Sequence, residues 1–276
     1  MKKWTAAITA ALLSITTPIL IFTHPMPSVS GKGVSMADAP VYLTAHRGVN
    51  FRAPENSLEA FRMAVEMGYY SAETDIRLTK DNVWVVSHNS SISKYYTGKV
   101  NVEESTYEEL QKYVMRSGRG LLTAMLKNGG PLRIPTLDEY LDVFVGAETR
   151  PQIELKSDGT AGLDQMLEAI EAKGLSKQSI VISFDADQLR YLRGKAPDLE
   201  LWFLCDEITQ EVIDETASIG GNVWISCSWE KNTIETLKRA KDADIPVSMW
   251  TVDKIKDAKA IYDAGFRYME TDRLSP

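Results

Sequence analysis

Leu43-Thr44-Ala45-His46-Arg47-Gly48 opens the stretch that decides the fold, and Pro54-Glu55-Asn56-Ser57, Glu73-Thr74-Asp75 and Val85-Val86-Ser87-His88-Asn89 follow it within residues 43–89. Apolar or β-branched residues lie beside most of these polar positions, which predicts that the polar side chains stand where strands end. Side chains two residues apart in a strand point to the same face. The two carboxylates of the third motif are therefore expected to face one way.

Residues 1–39 are predicted to be a signal peptide and leader. Lys2 and Lys3 precede an apolar run from Trp4 to Phe22, and small residues follow at Ser35-Met36-Ala37 and Ala37-Asp38-Ala39. This order of basic, apolar and small residues is typical of an export signal. We therefore expect a periplasmic or secreted protein. An uncleaved N-terminal membrane anchor is the alternative, because the apolar run is long enough to span a bilayer.

Residues 40–276 alternate short apolar runs with amphipathic stretches, which predicts one (β/α)8 TIM-barrel domain. An open doubly wound sheet is the alternative, but eight such units favour closure. The predicted strands are Val41–Ala45, Ser71–Ile76, Gln152–Leu155, Ile180–Phe184, Glu200–Leu204, Asn222–Ser226, Pro246–Trp250 and Arg267–Glu270. Helices are expected from Leu58, from the capping box Thr136-Leu137-Asp138-Glu139, and at 161–173, 186–195, 209–219, 231–243 and 254–264.

The net charge limits the classes of binding partner, and the two cysteines limit the possible disulfide bonds. The net charge of the chain is −7. An acidic surface argues against nucleic acid as a partner, and nothing in the sequence indicates a stable protein partner. Cys205 and Cys227 each follow an apolar run. They are interpreted as small buried residues, with a disulfide between neighbouring strands as the less favoured alternative.

Val83–Ser87 also has a strand pattern, but it does not fit the alternation. It follows Ile76 too closely for a parallel crossover, which needs about a dozen residues or more. We expect an antiparallel hairpin with Asp81-Asn82 as its two-residue loop, and this register places Asp75 opposite His88. Residues 89–135 then form an insertion with a helix opened by Thr106-x-x-Glu109. The insertion is interpreted as a cap over the barrel mouth or, equally, as a surface loop.

Three carboxylates are candidates for a metal site. Glu73 and Asp75 would face inward at the mouth, and Glu154 ends the next barrel strand. Bare carboxylates placed together repel one another, and a bound cation removes the conflict. Oxygen ligands without cysteine suit one divalent cation, Ca²⁺ or Mg²⁺. A set of salt bridges at strand ends is the alternative.

Other polar residues at the strand ends are candidates for acid–base work and for binding an anion. His46 and His88 can exchange protons near neutral pH. Arg47 and Lys156 offer donors for phosphate oxygens, and Trp250 either floors the site or fills the barrel top. Three residues are expected to support the site from outside or to act as structure alone: Glu55, Asn56 and Asn89. For Asn56 the structural alternative is a helix cap completed by Glu59.

At these residues the chain resembles the glycerophosphodiester phosphodiesterase family. The matching motifs run through almost all of residues 40–276 and are specific when taken together: His46-Arg47-Gly48, Pro54-Glu55-Asn56, Glu73-x-Asp75, His88, Glu154-x-Lys156, Trp250-Thr251-Val252 and Thr271-Asp272. The resemblance implies a (β/α)8 barrel with an insertion after the second strand. It also implies metal binding by Glu73, Asp75 and Glu154, with His46 and His88 as the acid–base pair.

The sequence departs from the family at two positions. The family usually has Asp where this chain has Asn89, which removes a negative charge beside His88 and supports an imidazolium less well. It usually has Thr where this chain has Ser57, a change that keeps the hydroxyl.

The resemblance implies a metal-dependent hydrolase that cleaves glycerophosphodiesters, the deacylated head groups of phospholipids, to glycerol 3-phosphate and an alcohol. The sequence does not say which histidine is the acid and which the base. Two alternatives stay open. One is a phospholipase-type enzyme that acts on intact phospholipids at a membrane, and the other is a non-catalytic module that binds a phosphate ligand.

Overall fold

The computed structural model describes residues 40–276, and these residues form a closed barrel of parallel strands surrounded by helices. The strands are β1 (Tyr42–Ala45), β2 (Ser71–Leu78), β3 (Trp84–Val86), β4 (Arg150–Leu155), β5 (Ile180–Ser183), β6 (Glu200–Cys205), β7 (Val223–Ser228), β8 (Val247–Trp250) and β9 (Tyr268–Thr271). The helices are α1 (Leu58–Glu66), α2 (Tyr107–Leu110), α3 (Leu121–Asn128), α4 (Leu137–Asp142), α5 (Leu163–Ala172), α6 (Ala186–Lys195), α7 (Gln210–Ile219), α8 (Ile234–Asp242) and α9 (Ile255–Asp263).

Eight strands pair in parallel and close on themselves, so the predicted (β/α)8 fold is confirmed. β1 pairs with β9 on one side, where Tyr42 lies opposite Tyr268, and with β2 on the other, where Thr44 lies opposite Ser71. β3 is the exception, because it is antiparallel to β2, its one partner among the described strands, and forms a further isolated bridge from Val85 to Thr136. The predicted signal peptide and leader, residues 1–39, lie outside the described residues and stay a prediction. Within residues 40–276 no helix has the length and apolarity needed to cross a bilayer.

The helices begin where the capping signals place them. Thr136 and Glu139 form a complete capping box at the start of α4, and Thr106 and Glu109 form another at the start of α2. Such caps contribute about 1 kcal/mol each. The structural alternative for Asn56, a cap at the start of α1, is wrong. Ser57, not Asn56, accepts the hydrogen bond from the Ala60 backbone amide, which frees the Asn56 side chain for other contacts.

Alternation along the strands separates an inner layer of side chains from an outer one. Ile180, Ile182, Trp202 and Leu204 stand at alternate positions of β5 and β6 and form an apolar cluster of their own, with Trp250 packed on it. The intervening residues pack in the larger core formed with the helices. Cys205 and Cys227 lie opposite each other in neighbouring strands, yet both are free and buried, so the disulfide alternative is wrong.

The β2–β3 hairpin exists, but its predicted register is wrong by one residue. The Thr79 amide donates to the Val83 carbonyl over 3.0 Å, which leaves a loop of three residues, Lys80–Asn82, in place of the expected two. Asn82 has a φ of 60°, a left-handed conformation that asparagine tolerates and that three-residue hairpin loops require. Ile76 therefore lies opposite Val86. Asp75 lies opposite Ser87, and the Ser87 amide donates to the Asp75 carbonyl over 2.9 Å.

Residues 89–135 form, together with Val85 of β3, a small apolar core that is separate from the barrel core. Its buried members are Val85, Ile92, Tyr96, Val102, Leu110, Met115, Ala124, Leu132 and Ile134. The segment before α3 lies close against the loop that follows β1. A Cβ added at Gly118 would be 2.7 Å from Pro54, and one added at Gly120 would clash with the Arg52 carbonyl, so only glycine fits at these two positions. The insertion therefore packs against the edge of the barrel mouth. Helix α3 was not predicted from the sequence.

Candidate active site

The three predicted carboxylates meet at the mouth, the end of the barrel where the parallel strands finish. Glu73 and Asp75 stand on one face of β2, and Glu154 lies opposite Asp75 in β4. All three are buried, and each offers an oxygen within 4.8 Å of the others. His46, Glu73 and Glu270 form a second group with the same spacing. The barrel therefore concentrates negative charge in a buried site.

The chemistry of this cluster fits a hard divalent cation. Glu73 Oε1 and Asp75 Oδ1 are buried and accept no hydrogen bond, and of the two only Asp75 Oδ1 has a cation near it, Lys156 Nζ at 3.4 Å. Burial raises the pKa of Glu73 well above its usual range, and the charges of Asp75 and Glu270 add to the effect. Burial and the Asp75 charge raise the pKa of Glu154 to about 7. Unpaired buried carboxylate oxygens are costly without a counter-charge, and oxygen ligands of this kind suit Ca²⁺ or Mg²⁺.

Asp75 keeps its charge because three neighbours support it. Arg47 Nε lies 3.3 Å from Asp75 Oδ2, and Lys156 Nζ lies 3.4 Å from Oδ1. The Asn56 side-chain amide donates to Oδ2 over 2.7 Å. Burial alone would raise the pKa of Asp75, but the two cations outweigh it and the pKa is lowered. Asn56 therefore orients a site carboxylate, and its φ of 55° places it to do so.

A left-handed turn after β1 aims Arg47 into the site. Arg47 has a φ of 55° and Gly48 a φ of 75°, and a Cβ at Gly48 would be 2.7 Å from Ala60. The turn lets the Arg47 backbone amide donate to Glu73 Oε2 over 2.8 Å. The guanidinium also donates to Glu55 Oε1 over 2.8 Å. Glu55 therefore contacts Arg47 at the mouth, and its supporting role stays a prediction.

His46 is held between two carboxylates from the end of β9. Its Nδ1 lies 2.8 Å from Asp272 Oδ1, and its Nε2 lies 3.8 Å from Glu270 Oε1. Burial lowers the pKa of His46, but the Asp272 hydrogen bond and the charges of Glu270 and Glu73 outweigh it and raise the pKa to about 10. The ring therefore carries two protons at neutral pH.

His88 is perturbed in the opposite direction. Burial lowers its pKa, and the opposing charge of Asp75 does not compensate. Its Nδ1 lies 2.9 Å from Asn89 Oδ1. An amide oxygen accepts at that position, which keeps the proton on Nδ1 and leaves Nε2 as the free acceptor. Arg77 holds the backbone carbonyl of His88 through two hydrogen bonds of 2.9 and 3.1 Å.

Lys156 and Trp250 meet around an aromatic residue that the sequence did not single out. Lys156 is ion-paired with Glu154 and Asp75, and its Nζ lies 6.0 Å from the centre of the Phe184 ring. Phe184 is half exposed and stands edge-on to Trp250, with ring centres 6.2 Å apart. Trp250 donates to the Ser226 carbonyl over 3.3 Å. Trp250 therefore fills the barrel top and also borders the mouth.

Several residues of the site were not assigned a role from the sequence. Glu270 is buried, touches His46 and accepts a 2.9 Å hydrogen bond from Gln152. Asp272 orients His46, and Asn50 donates to both residues. A signal for two of them was present, because Glu270-x-Asp272 repeats at the end of β9 the spacing of Glu73-x-Asp75 on β2. Gln152 and Asn50 had no such signal.

The model of the glycerophosphoryl diester phosphodiesterase family matches residues 46–275. The match contains both histidines and every carboxylate of the site. The chain belongs to this family. It is a phosphoric diester hydrolase of the glycerophosphodiester phosphodiesterase class, as the sequence resemblance implied.

Individual relatives agree with the family match. The chain is 28% identical over 237 residues to a glycerophosphodiester phosphodiesterase from Caldanaerobacter subterraneus subsp. tengcongensis, covering 83% of this chain and 92% of the relative. A glycerophosphodiester phosphodiesterase structure from Parabacteroides distasonis has a TM-score of 0.68 at 25% identity and covers 85% of this chain and 94% of its own.

A second solved structure is similar in fold alone. It is an Oleispira antarctica phosphodiesterase in complex with the product sn-glycerol-3-phosphate. Its TM-score is 0.75 at 20% identity, and the match covers 84% of this chain and 92% of that one.

Proposed function

We propose that this member of the family hydrolyses glycerophosphodiesters, the deacylated head groups of phospholipids, to glycerol 3-phosphate and an alcohol. The observation that carries the proposal is the placement of two histidines in unlike surroundings at one buried carboxylate cluster: His46 Nδ1 lies 2.8 Å from Asp272 Oδ1 and His88 Nδ1 lies 2.9 Å from Asn89 Oδ1, and the pKa is raised for His46 and lowered for His88. Groups of this kind, pushed apart by their surroundings, are suited to acid and base roles. The glycerol 3-phosphate in the Oleispira antarctica structure supports the choice of product.

Glu73, Asp75 and Glu154 would hold one divalent cation, Ca²⁺ or Mg²⁺. When bound, such a cation supplies positive charge that stabilises the extra negative charge on the phosphate in the transition state. Lys156 and Arg47 stand beside the same carboxylates, and their N–H groups would donate to the phosphate oxygens. Trp250 and Phe184 would form an apolar wall on one side of the substrate.

His88 would act as the general base and His46 as the general acid. Nε2 of His88 would accept a proton from the nucleophile as its oxygen forms a bond to phosphorus. Nε2 of His46 would donate a proton to the leaving alkoxide oxygen as its bond to phosphorus breaks. The nucleophile is water or the 2-hydroxyl of the glycerol itself. The second route passes through a cyclic phosphate that water then opens.

The test is an assay of the purified protein with glycerophosphocholine and glycerophosphoethanolamine. We expect release of glycerol 3-phosphate that chelator abolishes and that Ca²⁺ or Mg²⁺ restores. Phosphatidylcholine in mixed micelles is the comparison substrate for action on intact lipids. Absence of glycerol 3-phosphate under every cation would contradict the proposal, and activity unaffected by chelator would contradict the metal dependence.

Asn89→Asp tests the departure of this chain from the family pattern. A carboxylate 2.9 Å from Nδ1 would stabilise the imidazolium of His88, whose pKa is otherwise lowered mainly by burial. We expect the acidic limb of the kcat/KM profile to move to higher pH by about 1–2 units, because the base must be neutral to act. Asn89→Ser is the control without charge. An unchanged limb in Asn89→Asp would show that His88 is not the base.

A further inference from the structure

Helix α3 of the insertion presents two leucines to solvent. Leu122 is 70% exposed and Leu126 is 65% exposed, while Ala124 on the other side of the helix is buried. Leu121 and Met125 pack against the small core of the insertion. Residues four apart in a helix lie side by side, so the exposed leucines form one apolar ridge.

The ridge is held in place at the edge of the mouth. A Cβ at Gly120, just before α3, would clash with the Arg52 carbonyl, so the helix begins in close contact with the loop after β1. At its other end Lys127 pairs with Glu59 of α1 over 2.5 Å. Arg116 donates to the Ser93 carbonyl over 2.7 Å. The exposure of the leucines therefore belongs to a fixed surface of the folded insertion.

The ridge lies in a stretch of one charge sign. Residues 111–137 contain no Asp or Glu, whereas the whole chain has a net charge of −7. The cations of this stretch are Lys112, Arg116, Arg119, Lys127 and Arg133. Arg119 is exposed and stands two residues before α3. Exposed apolar side chains on a helix with a basic flanking sequence are typical of helices that lie on an anionic membrane surface.

We propose that the Leu122–Leu126 ridge of α3 docks on an anionic phospholipid bilayer and turns the barrel mouth toward it. A second copy of this chain fits less well, because a symmetric contact through the ridge would bring the same cations face to face. The benefit of docking rests on the proposed function, because docking would hold the active site at the membrane where lipid head groups are released. The docking itself requires no catalysis.

The test places an environment-sensitive fluorophore on the ridge of the full chain. Leu126→Cys is labelled with a nitrobenzoxadiazole maleimide, and Ala217→Cys on α7 is the labelled control, because Ala217 is also exposed on a helix. Cys205 and Cys227 are buried and stay unlabelled. We expect vesicles of phosphatidylglycerol and phosphatidylcholine to raise the emission of the label at 126 about twofold or more, with a blue shift, and to leave the label at 217 unchanged.

Charge and apolar contributions are separated by two further variants. Arg119→Gln in the Leu126→Cys protein is expected to weaken vesicle binding about fivefold, because one cation near an anionic surface contributes on that order. Leu122→Gln is expected to reduce the signal further, while glycerophosphocholine hydrolysis stays at the parent rate. Vesicles of phosphatidylcholine alone are expected to give a much weaker signal.

Three outcomes would overturn the docking proposal. The first is no change in the emission of the label at 126 on adding anionic vesicles, and the second is an equal change for the label at 217. The third is an emission at 126 that rises with protein concentration in the absence of vesicles, which would show that a second copy covers the ridge. Failure of docking is distinguishable from failure of the proposed function. An active enzyme without the vesicle response contradicts docking alone, and a vesicle response without glycerol 3-phosphate release contradicts the activity alone.

Discussion

His46→Ala is expected to lower kcat/KM for glycerophosphocholine about 10²–10⁴-fold, and a substrate with a better leaving group is expected to recover most of that loss. The reason is that His46 holds its proton at neutral pH, with a pKa raised to about 10 despite burial, by Asp272, Glu270 and Glu73. A choline alkoxide needs that proton as it leaves. A 4-nitrophenolate does not, so a glycerophosphodiester with this leaving group bypasses the acid.

The matched variant is His88→Ala, measured with the same two substrates. A missing base slows nucleophilic attack on both substrates, so the loss of kcat/KM in His88→Ala is expected to be similar for choline and 4-nitrophenol as leaving groups. If His88→Ala is the variant rescued by 4-nitrophenol, the two roles are reversed. Circular dichroism and the melting temperature check that each variant is folded, because His46 also anchors Asp272 and Asn50.

The barrel was predictable because its signal is repeated many times along the chain. Most barrel strands are short apolar runs followed by a helix, and several of these helices have a start signal of their own, as at Thr136 and Glu139. An error of one or two residues at an end, as at Phe184 just beyond β5, does not change which strand pairs with which. Topology therefore follows from the alternation alone.

The hairpin register was not predictable to the residue, because it depends on the backbone conformation of one residue, Asn82. Asp81-Asn82 fits a two-residue loop in sequence, but a left-handed Asn82 closes a loop of three residues. The shift places Ser87, not His88, opposite Asp75. His88 still feels the Asp75 charge, which is among the causes of its pKa shift. Its approach to the site comes from the chain after β3.

The site was predictable where polar residues stand at the ends of strands that are close in the sequence, and not where a contact joins the two ends of the chain. Glu73, Asp75 and Glu154 stand in adjacent strands, so strand order brings them together. Glu270 reaches His46 because β9 closes the barrel against β1, a contact between opposite ends of the chain. The exposed face of α3 was missed for another reason. Its position is set by how the insertion packs on the loop after β1, and no periodicity records that packing.

Glu73→Gln is expected to reduce activity on the order of 10³-fold while leaving the metal-free protein at least as stable as its parent. The activity falls because the trio loses a charged ligand, and cation charge contributes several kcal/mol to such transition states. The metal-free variant is not destabilised, because the pKa of Glu73 in the parent is raised, mainly by burial and further by the charges of Asp75 and Glu270. A carboxyl whose pKa is higher in the folded than in the unfolded state destabilises the fold once the pH rises above the pKa of the unfolded state.

Thermal unfolding with and without cation separates the two effects. The parent is expected to gain stability from added Ca²⁺ or Mg²⁺, by about 2.7 kcal/mol at a hundredfold excess over Kd, and Glu73→Gln is expected to lose most of that gain. In chelator the variant should melt at or above the parent temperature, with the difference largest at alkaline pH, where the carboxyl of the parent is ionised.

Glu55→Gln makes the same chemical change at the same mouth but outside the trio of Glu73, Asp75 and Glu154, so it should keep the cation response. A Glu73→Gln protein that melts lower in chelator, or still responds to cation like its parent, would mean that the buried trio is a structural charge network held by Arg47 and Lys156 and not the metal site.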